Sequence, residues 1–337
     1  ALTGMRARGG QLVRVMADAF LLGAAYGTVV PLWENRNLAL DELAEELDLP
    51  GEGILPVARI TASTRTDELA ALLSPGPTLE RLASELADLL SREARPELCI
   101  NLEEHPRLDP ILLRRALSRL KYVMATQAGR PLGLCLIATP DAGFWRDPEL
   151  VTLLERAVVL GFRSDSSPLA APAPQDWFET AVTEVRALIP AEKLVVALGT
   201  FARSWQGQGW PERLGYAEAL SHADRSGAMP VMDAGAGASR LRFLDAERQV
   251  NDLWLMDAAS MHNQLAVLDP GQAVAVWPLG YEDPAIWRIL QADAQGRLAQ
   301  ILLEEKVDLS QQVLTEAGGP AIAAITPART GRRFVLL

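Results

Sequence analysis

The chain has 337 residues, of which 49% are hydrophobic, and this is enough for one large domain with a substantial core. Its net charge of −11 gives no general attraction to phosphate backbones, so the composition disfavours nucleic acid as a partner. No apolar run reaches the roughly 20 residues of a membrane-spanning helix. The three histidines and two cysteines have no metal-binding spacing, and we expect neither a metal nor another cofactor.

Short apolar, β-branched runs alternate with longer amphipathic stretches along the chain. The predicted strands, in chain order, are residues 28–32, 54–60, 98–102, 132–137, 157–162, 194–198 and 273–277. An eighth strand is expected near residues 11–16 or before residue 1. Intervening stretches such as residues 112–123 place leucines at helical spacing. Near-continuous apolar strands separated by helices predict a parallel sheet in an α/β fold, either a barrel or a doubly wound sheet.

The interval between the predicted strands at 194–198 and 273–277 is longer than a simple βα unit requires. It holds a helix, a Gly/Ala-rich turn and two strand-like runs, which predict a small α+β insertion at about residues 203–256, after the seventh strand. Barrel active sites lie on that side of the fold, so the insertion is expected to form a wall of the cleft. Residues 305–337 depart from the βα rhythm and predict a short β appendage, or the start of a linker, after a barrel domain over residues 1–304.

The two cysteines, Cys99 and Cys135, each lie inside an apolar run, as buried thiols commonly do. A disulfide between them requires that their strands are neighbours and that a restrictive geometry is met. The sequence leaves both the disulfide and the cellular compartment open.

Several stretches resemble the family 18 glycoside hydrolase barrel, in the form found fused to polysaccharide deacetylase and membrane glycosyltransferase domains in bacteria. They are residues 175–178, 193–199, 253–265, 276–287 and 331–333. The block from Trp277 to Trp287 is the most specific, and the resemblance covers most of residues 50–337. It implies a (β/α)8 TIM barrel, an extracytoplasmic location, and a polysaccharide or oligosaccharide ligand that contains N-acetylhexosamine.

The catalytic strand of that family carries D-x-x-D-x-D-x-E. Its Glu protonates the glycosidic oxygen, and the acetamide of the substrate attacks the anomeric carbon. Aligned without gaps, Glu104 falls on the general acid, while Ile100 and Leu102 fall on two of the aspartates. A slip of one residue places Glu103 in the barrel and keeps Asn101 on its face. The alternative is that both glutamates form a solvated corner after the strand.

The sixth strand of the family ends in M-x-Y-D, whose Tyr and Asp hold the acetamide. Here Phe162 lacks the hydroxyl group and Arg163 reverses the charge. Losing an orienting group commonly costs roughly 10²–10³ in rate. The sequence therefore favours a non-catalytic or weakly active module in exopolysaccharide processing over an active retaining glycosidase with Glu104 as the acid. Arg163 suits an acidic sugar, although a surface ion pair is its alternative role.

Other residues are predicted to contact the sugar. Trp277 matches the tryptophan that floors the sugar subsite, with core packing as its alternative role. Trp33 and Trp205 follow strands and extend the predicted aromatic platform. Asp257 and Glu282 are predicted cleft residues, and helix capping suits their positions as well. Other proteins or domains of exopolysaccharide synthesis are the further partners expected from the resemblance.

Overall fold

A computed structural model of the protein describes residues 14–23, 28–31, 53–60, 64–91, 97–163, 170–206, 211–244, 248–278 and 280–298. The chain divides into two compact units. The first consists of Ala1–Leu160 and Glu184–Val195, and the second of Gly161–Thr183 and Val196–Leu337.

The first unit contains a mostly parallel sheet. Its strands are β1 (Arg14–Gly23), β2 (Thr28–Pro31), β3 (Gly53–Ile60), β4 (Glu97–Asn101), β5 (Gly133–Ala138) and β6 (Arg156–Leu160). They hydrogen-bond in the order β6-β5-β4-β3-β1-β2, and only the β1–β2 pair is antiparallel. The direction of β2 departs from the parallel pattern predicted for residues 28–32. Four residues separate it from β1, too few for the crossover that a parallel pair needs.

Helices follow the strands of this unit. They are α1 (Thr66–Leu73), α2 (Pro77–Leu90), α3 (Pro110–Gln127), a 3-10 turn (Gly143–Arg146) and α4 (Pro148–Leu153). The start of α3 is fixed by Asp109, whose Oδ1 accepts the Leu112 N–H at 2.7 Å, and by Pro110 in the first turn. Cys99 of β4 and Cys135 of β5 are direct cross-strand neighbours, and a disulfide joins them.

The second unit contains the last part of β7, the strand β13 and an antiparallel sheet. The chain changes unit after Leu160 at the end of β6, within α5 (Gln175–Arg186) and within β7 (Leu194–Gly199). The remaining strands are β8 (Ala202–Gln206), β9 (Glu212–Leu214), β10 (Val231–Asp233), β11 (Ala238–Leu244), β12 (Val250–Leu255) and β13 (Ala273–Trp277). The remaining helices are α6 (Tyr216–Ser226), α7 (Ala258–Leu265) and α8 (Ile286–Ala294).

The predicted insertion corresponds to an antiparallel sheet with the order β10-β11-β12-β8-β9, together with α6. One face of this sheet and α6 share a buried apolar cluster, formed by Ala202, Leu214, Ala219, Ala223, Leu241, Leu253 and Leu255. Because side chains alternate along a strand, the residues between these leucines and alanines lie on the opposite face.

The α/β class predicted from the alternation of strands and helices is confirmed, with parallel pairing from β1 through β6 apart from β2. The predicted appendage at residues 305–337 lies outside the described residues. Within the described part of the chain, no helix combines the length and apolar content needed to cross a membrane.

Candidate functional site

The turn after β4 carries the carboxylates that the sequence singles out. Leu102 is only 1% exposed, and Ile100 is also buried. Glu104 is exposed and Glu103 is half-buried, with the Glu103 N–H donating to Asn101 Oδ1 at 2.9 Å. Ile100 and Leu102 thus belong to the core, while Glu103 and Glu104 lie in the turn beyond it.

His105 follows these glutamates and is buried. Its Nδ1 lies 3.2 Å from Thr66 Oγ1. Burial lowers the pKa of His105, and the charge of Glu104 opposes that shift. The imidazole therefore favours its neutral form.

The end of β6 leads into a cluster of aromatic rings and arginines in the second unit. Phe162 is fully buried, and its ring meets the Phe201 ring edge-on with centroids 5.2 Å apart. The Arg213 guanidinium lies 4.9 Å from the Phe201 centroid and 5.7 Å from the Phe162 centroid. Phe162 is thus part of an apolar ring pair covered by a cation.

Arg203 joins two further predicted residues to this cluster. Its Nη2 donates to the Arg163 carbonyl oxygen at 2.7 Å, and its guanidinium lies 5.9 Å from the Trp205 centroid. Trp205 is 2% exposed, so its ring packs beneath the guanidinium. The structure therefore brings together three predicted residues, Phe162, Arg163 and Trp205.

Sequence reasoning missed Phe201, Arg203 and Arg213. A signal for the first two was available, because Phe201, Arg203 and Trp205 stand at every second position and share one side of the chain where it enters β8. Arg213 was not detectable in this way, because β9 has only three residues.

Asp257 is buried and caps α7, which is the alternative role predicted from its position. Its Oδ1 accepts the Ser260 N–H at 3.0 Å, and its Oδ2 accepts the Ser239 hydroxyl at 2.5 Å. Burial raises the pKa of Asp257, and the hydrogen bonds from Ser239 and Ser260 oppose that shift. The carboxylate therefore organises the start of α7 from a site with little access to solvent.

Glu282 is also buried and bonds locally. Its Oε2 accepts the Gly280 N–H at 2.5 Å, and its Oε1 accepts the Trp287 indole N–H at 3.4 Å. These contacts tie the segment after β13 to α8.

A second carboxylate, Asp283, meets the first turn of α7. It accepts the Ala258 N–H at 3.1 Å. Burial raises the pKa of the half-buried Tyr216 to about 12, and the charges of Asp283 and Asp257 add to that shift. Two carboxylates at one helix start are consistent with the favourable field of the helix N-terminus.

Trp277 ends β13 and is half-buried. Its carbonyl oxygen accepts the Thr200 N–H at 2.9 Å, and the Thr200 hydroxyl donates to the Pro278 carbonyl oxygen at 2.9 Å. These bonds fix the backbone at the end of the strand, where the Trp277–Pro278 peptide bond is cis. Trp33, the other predicted aromatic contact, lies outside the described residues. In the described segments no group of three or more His, Cys, Asp or Glu side chains is placed to hold a metal ion.

No protein-family model matches the chain. A curated relative, the "Cortical fragment-lytic enzyme" of Bacillus subtilis, is 28% identical over 123 residues. That match covers 34% of this chain and 28% of the relative, so the chain spans well under half of the relative's length.

Solved structures are similar over a much larger part of the chain. A chitinase from Chromobacterium violaceum is 14% identical with a TM-score of 0.72, over 87% of this chain and 94% of the chitinase. The spore cortex-lytic enzyme SleL from Bacillus megaterium is 16% identical with a TM-score of 0.69, over 87% of this chain and 70% of SleL. A family GH18 chitinase from Cycas revoluta, solved in complex with allosamidin, is 16% identical with a TM-score of 0.67, over 86% of this chain and 94% of that chitinase. The chain thus has the α/β fold of family 18 chitinases and spore cortex-lytic enzymes.

Proposed function

We propose that this chain is a family-18-like module that engages a polysaccharide and is non-catalytic or weakly active, with a role in exopolysaccharide processing. The observation that carries this proposal is the environment of Phe162, which is fully buried against Phe201 beneath Arg213. The related enzymes are expected to hold the reacting acetamide at this point with a tyrosine and an aspartate. An apolar ring followed by Arg163 cannot supply those contacts.

The strand β4 supports the same conclusion. Ile100 and Leu102, which align with two aspartates of the family motif, are buried apolar side chains. Glu104 therefore has no carboxylate neighbours at the positions that orient the acetamide and tune the acid. Because each orienting group removed commonly costs roughly 10²–10³ in rate, several losses together leave little hydrolysis by that mechanism.

Trp277 is the residue that we expect to retain sugar binding. It ends β13, as the subsite tryptophan of the family does, and it is half-buried, so part of its surface is accessible. An aromatic face offers a large apolar surface at small entropic cost, which suits a pyranose ring. Trp277→Ala should weaken binding of chitin oligosaccharides in isothermal titration calorimetry. Trp177→Ala, which removes another half-buried tryptophan on α5, is the matched control and should bind as the wild type does.

An active retaining glycosidase is the second candidate function, with Glu104 as the general acid. Its supporting observation is the exposed position of Glu104 in the turn that follows β4. Reducing-end release from chitin oligosaccharides by the wild type, Glu104→Gln and Glu103→Gln distinguishes the candidates. Turnover that disappears only in Glu104→Gln would establish the enzyme and end the proposal of a degraded module.

We also propose an extracytoplasmic location, where the module works beside other proteins or domains of exopolysaccharide synthesis. The Cys99–Cys135 disulfide supports this, because disulfides form and persist in oxidising compartments. Alkylation of protein from its native cells, followed by mass spectrometry, should find both thiols blocked until a reductant is added. Labelling of both thiols without reductant would contradict the location.

A further inference from the structure

The segment between β13 and α8 is held by hydrogen bonds on both sides of Tyr281. The Tyr281 carbonyl oxygen accepts the N–H of Tyr216, the first residue of α6, at 2.8 Å. On the preceding side, the Gly280 N–H donates to Glu282 Oε2 at 2.5 Å. On the following side, Asp283 accepts an N–H from the first residue of α7 at 3.1 Å. The backbone that carries Tyr281 is therefore fixed by bonds to two helices and by a bond within its own turn.

This turn buries its two carboxylates and exposes its ring. Gly280 has a φ of +93°, a conformation that residues with a side chain rarely adopt, so the chain can bend sharply just before Tyr281. Glu282 and Asp283 are 7% and 4% exposed, whereas Tyr281 is 40% exposed. The ring is thus presented to solvent from a backbone of defined conformation, and a ligand that contacts it meets little cost in ordering the chain.

An exposed aromatic ring is uncommon in this protein. Among the described residues, two aromatic side chains are exposed, Tyr281 and, at 57%, Tyr122 of α3. The Tyr122 ring has a partner, because the Arg119 guanidinium lies 4.8 Å from its centroid. The Tyr281 ring has no such partner in the part of the chain that the structure describes. A ring that is apolar on its face and polar at its hydroxyl suits a ligand with both characters, such as a sugar.

The position of Tyr281 in the fold also suits a ligand contact. The strand β13 lies beside β7, and the N–H of Thr200, which follows β7, donates to the carbonyl oxygen of Trp277, the last residue of β13. Both strands therefore end at the same edge, and Tyr281 lies in the segment beyond it. Ligands of α/β folds bind beyond the carboxyl ends of the strands. Trp277 and Tyr281 are four residues apart, so their Cα atoms are separated by at most about 14 Å.

We propose that Tyr281 stacks on a second sugar of the polysaccharide that Trp277 engages, and that the pair selects a polymer over a short fragment. This inference rests on the proposed function, since it concerns the ligand assigned there to Trp277. A fragment too short to reach both rings makes one contact, whereas a longer chain makes both at once. The second contact adds to affinity without a second loss of translational freedom, because both sugars belong to one molecule.

The gain in affinity with chain length tests this assignment. Isothermal titration calorimetry compares the chitin disaccharide with the hexasaccharide, and the wild type should bind the hexasaccharide more tightly. Tyr281→Ala should weaken hexasaccharide binding about tenfold and leave disaccharide binding unchanged. Tyr281→Phe should bind both sugars as the wild type does, because it keeps the ring. Tyr122→Ala is the matched control, because it removes the other exposed tyrosine, and it should leave both affinities unchanged.

The outcomes separate this inference from the function on which it rests. If Trp277→Ala loses binding while Tyr281→Ala keeps the full gain with chain length, the second contact is wrong and the proposed function stands. If the wild type binds neither sugar, both proposals are wrong. A hexasaccharide loss in Tyr122→Ala equal to that in Tyr281→Ala also overturns the assignment. If Tyr281→Ala fails to fold, Tyr281→Leu decides, since wild-type hexasaccharide affinity in a variant without the ring contradicts stacking.

Discussion

Replacing Asp257 separates a capping role from a direct role in binding. Alanine removes the acceptor of the Ser260 N–H and leaves the buried Ser239 hydroxyl without its acceptor. Loss of a cap costs about 0.5–2 kcal/mol, and an unsatisfied buried donor costs about 1–3 kcal/mol. We therefore expect Asp257→Ala to lower the free energy of unfolding by about 2–4 kcal/mol. Asn caps as well as Asp, so Asp257→Asn should cost less than about 1 kcal/mol at low pH.

The difference in stability between the wild type and Asp257→Asn depends on pH with a defined sign. Burial raises the pKa of Asp257 above its usual value of 3.8, so between the two values the folded state holds the proton more firmly than the unfolded chain. The stabilisation from that proton is fully present below pH 3.8 and is lost as the pH rises through the folded pKa. Asp257→Asn has no such proton and should gain stability relative to the wild type from acid toward neutral pH.

Urea unfolding at two pH values tests this reasoning, with oligosaccharide binding measured in parallel. The expected result is a marked loss of stability in Asp257→Ala, a small one in Asp257→Asn, and unchanged binding in the Asn variant. An Asp257→Ala protein as stable as the wild type would refute the capping interpretation, and an Asp257→Asn protein that is fully stable yet binds no sugar would establish Asp257 as a ligand contact as well as a cap.

Three further predictions concern the first unit. Cys99→Ser/Cys135→Ser removes a disulfide across 36 residues and should lower the free energy of unfolding by about 3–4 kcal/mol in the chain-entropy account. In urea unfolding, the wild type in reductant should be as stable as this variant, and equal stability of the wild type with and without reductant would argue against the disulfide. The pKa of His105 is depressed below 6.5, so the contribution of its neutral form to stability is present above pH 6.5 and is lost as the pH falls through the folded pKa. Glu104→Gln should depress the pKa of His105 further in an NMR titration, and an unchanged pKa would show that the two groups do not interact. Leu102→Asp introduces the aspartate that the resemblance predicts for this position, and it should destabilise the protein by more than about 3 kcal/mol because it buries a carboxylate in an apolar core. A stable variant that hydrolyses chitin oligosaccharides would contradict this.

Much of the fold follows from local patterns. The apolar runs at 54–60 and 98–102 lie within one residue of β3 (Gly53–Ile60) and β4 (Glu97–Asn101). Strand direction is not local, however, because an apolar run such as 28–32 has the same pattern in either direction. The direction of β2 follows from its short connection to β1. The length of that connection could not be predicted, because the sequence does not define where β1 begins and ends.

The candidate site was less predictable for a related reason. Phe162 and Arg163 could be singled out because they replace polar and acidic positions of a known motif. Arg213 acquires its role only from its partners across β8 and β9, and three residues are too few to show alternation. Asp257 stands at a position that suits both a cap and a cleft residue, and only the bonds to Ser239 and Ser260 favour the cap.

The two faces of the five-stranded sheet differ in composition, since one packs an apolar cluster on α6 and the other carries arginines. The residues that pack on α6 and those of the opposite face, among them Arg213 and Arg242, alternate along the same strands, so neighbouring positions have different surroundings. Substitutions at Arg213 or Arg242 leave the apolar cluster intact, because those residues lie on the opposite face of the sheet. The charge of that opposite face can therefore change through single substitutions while the apolar cluster that packs on α6 stays the same.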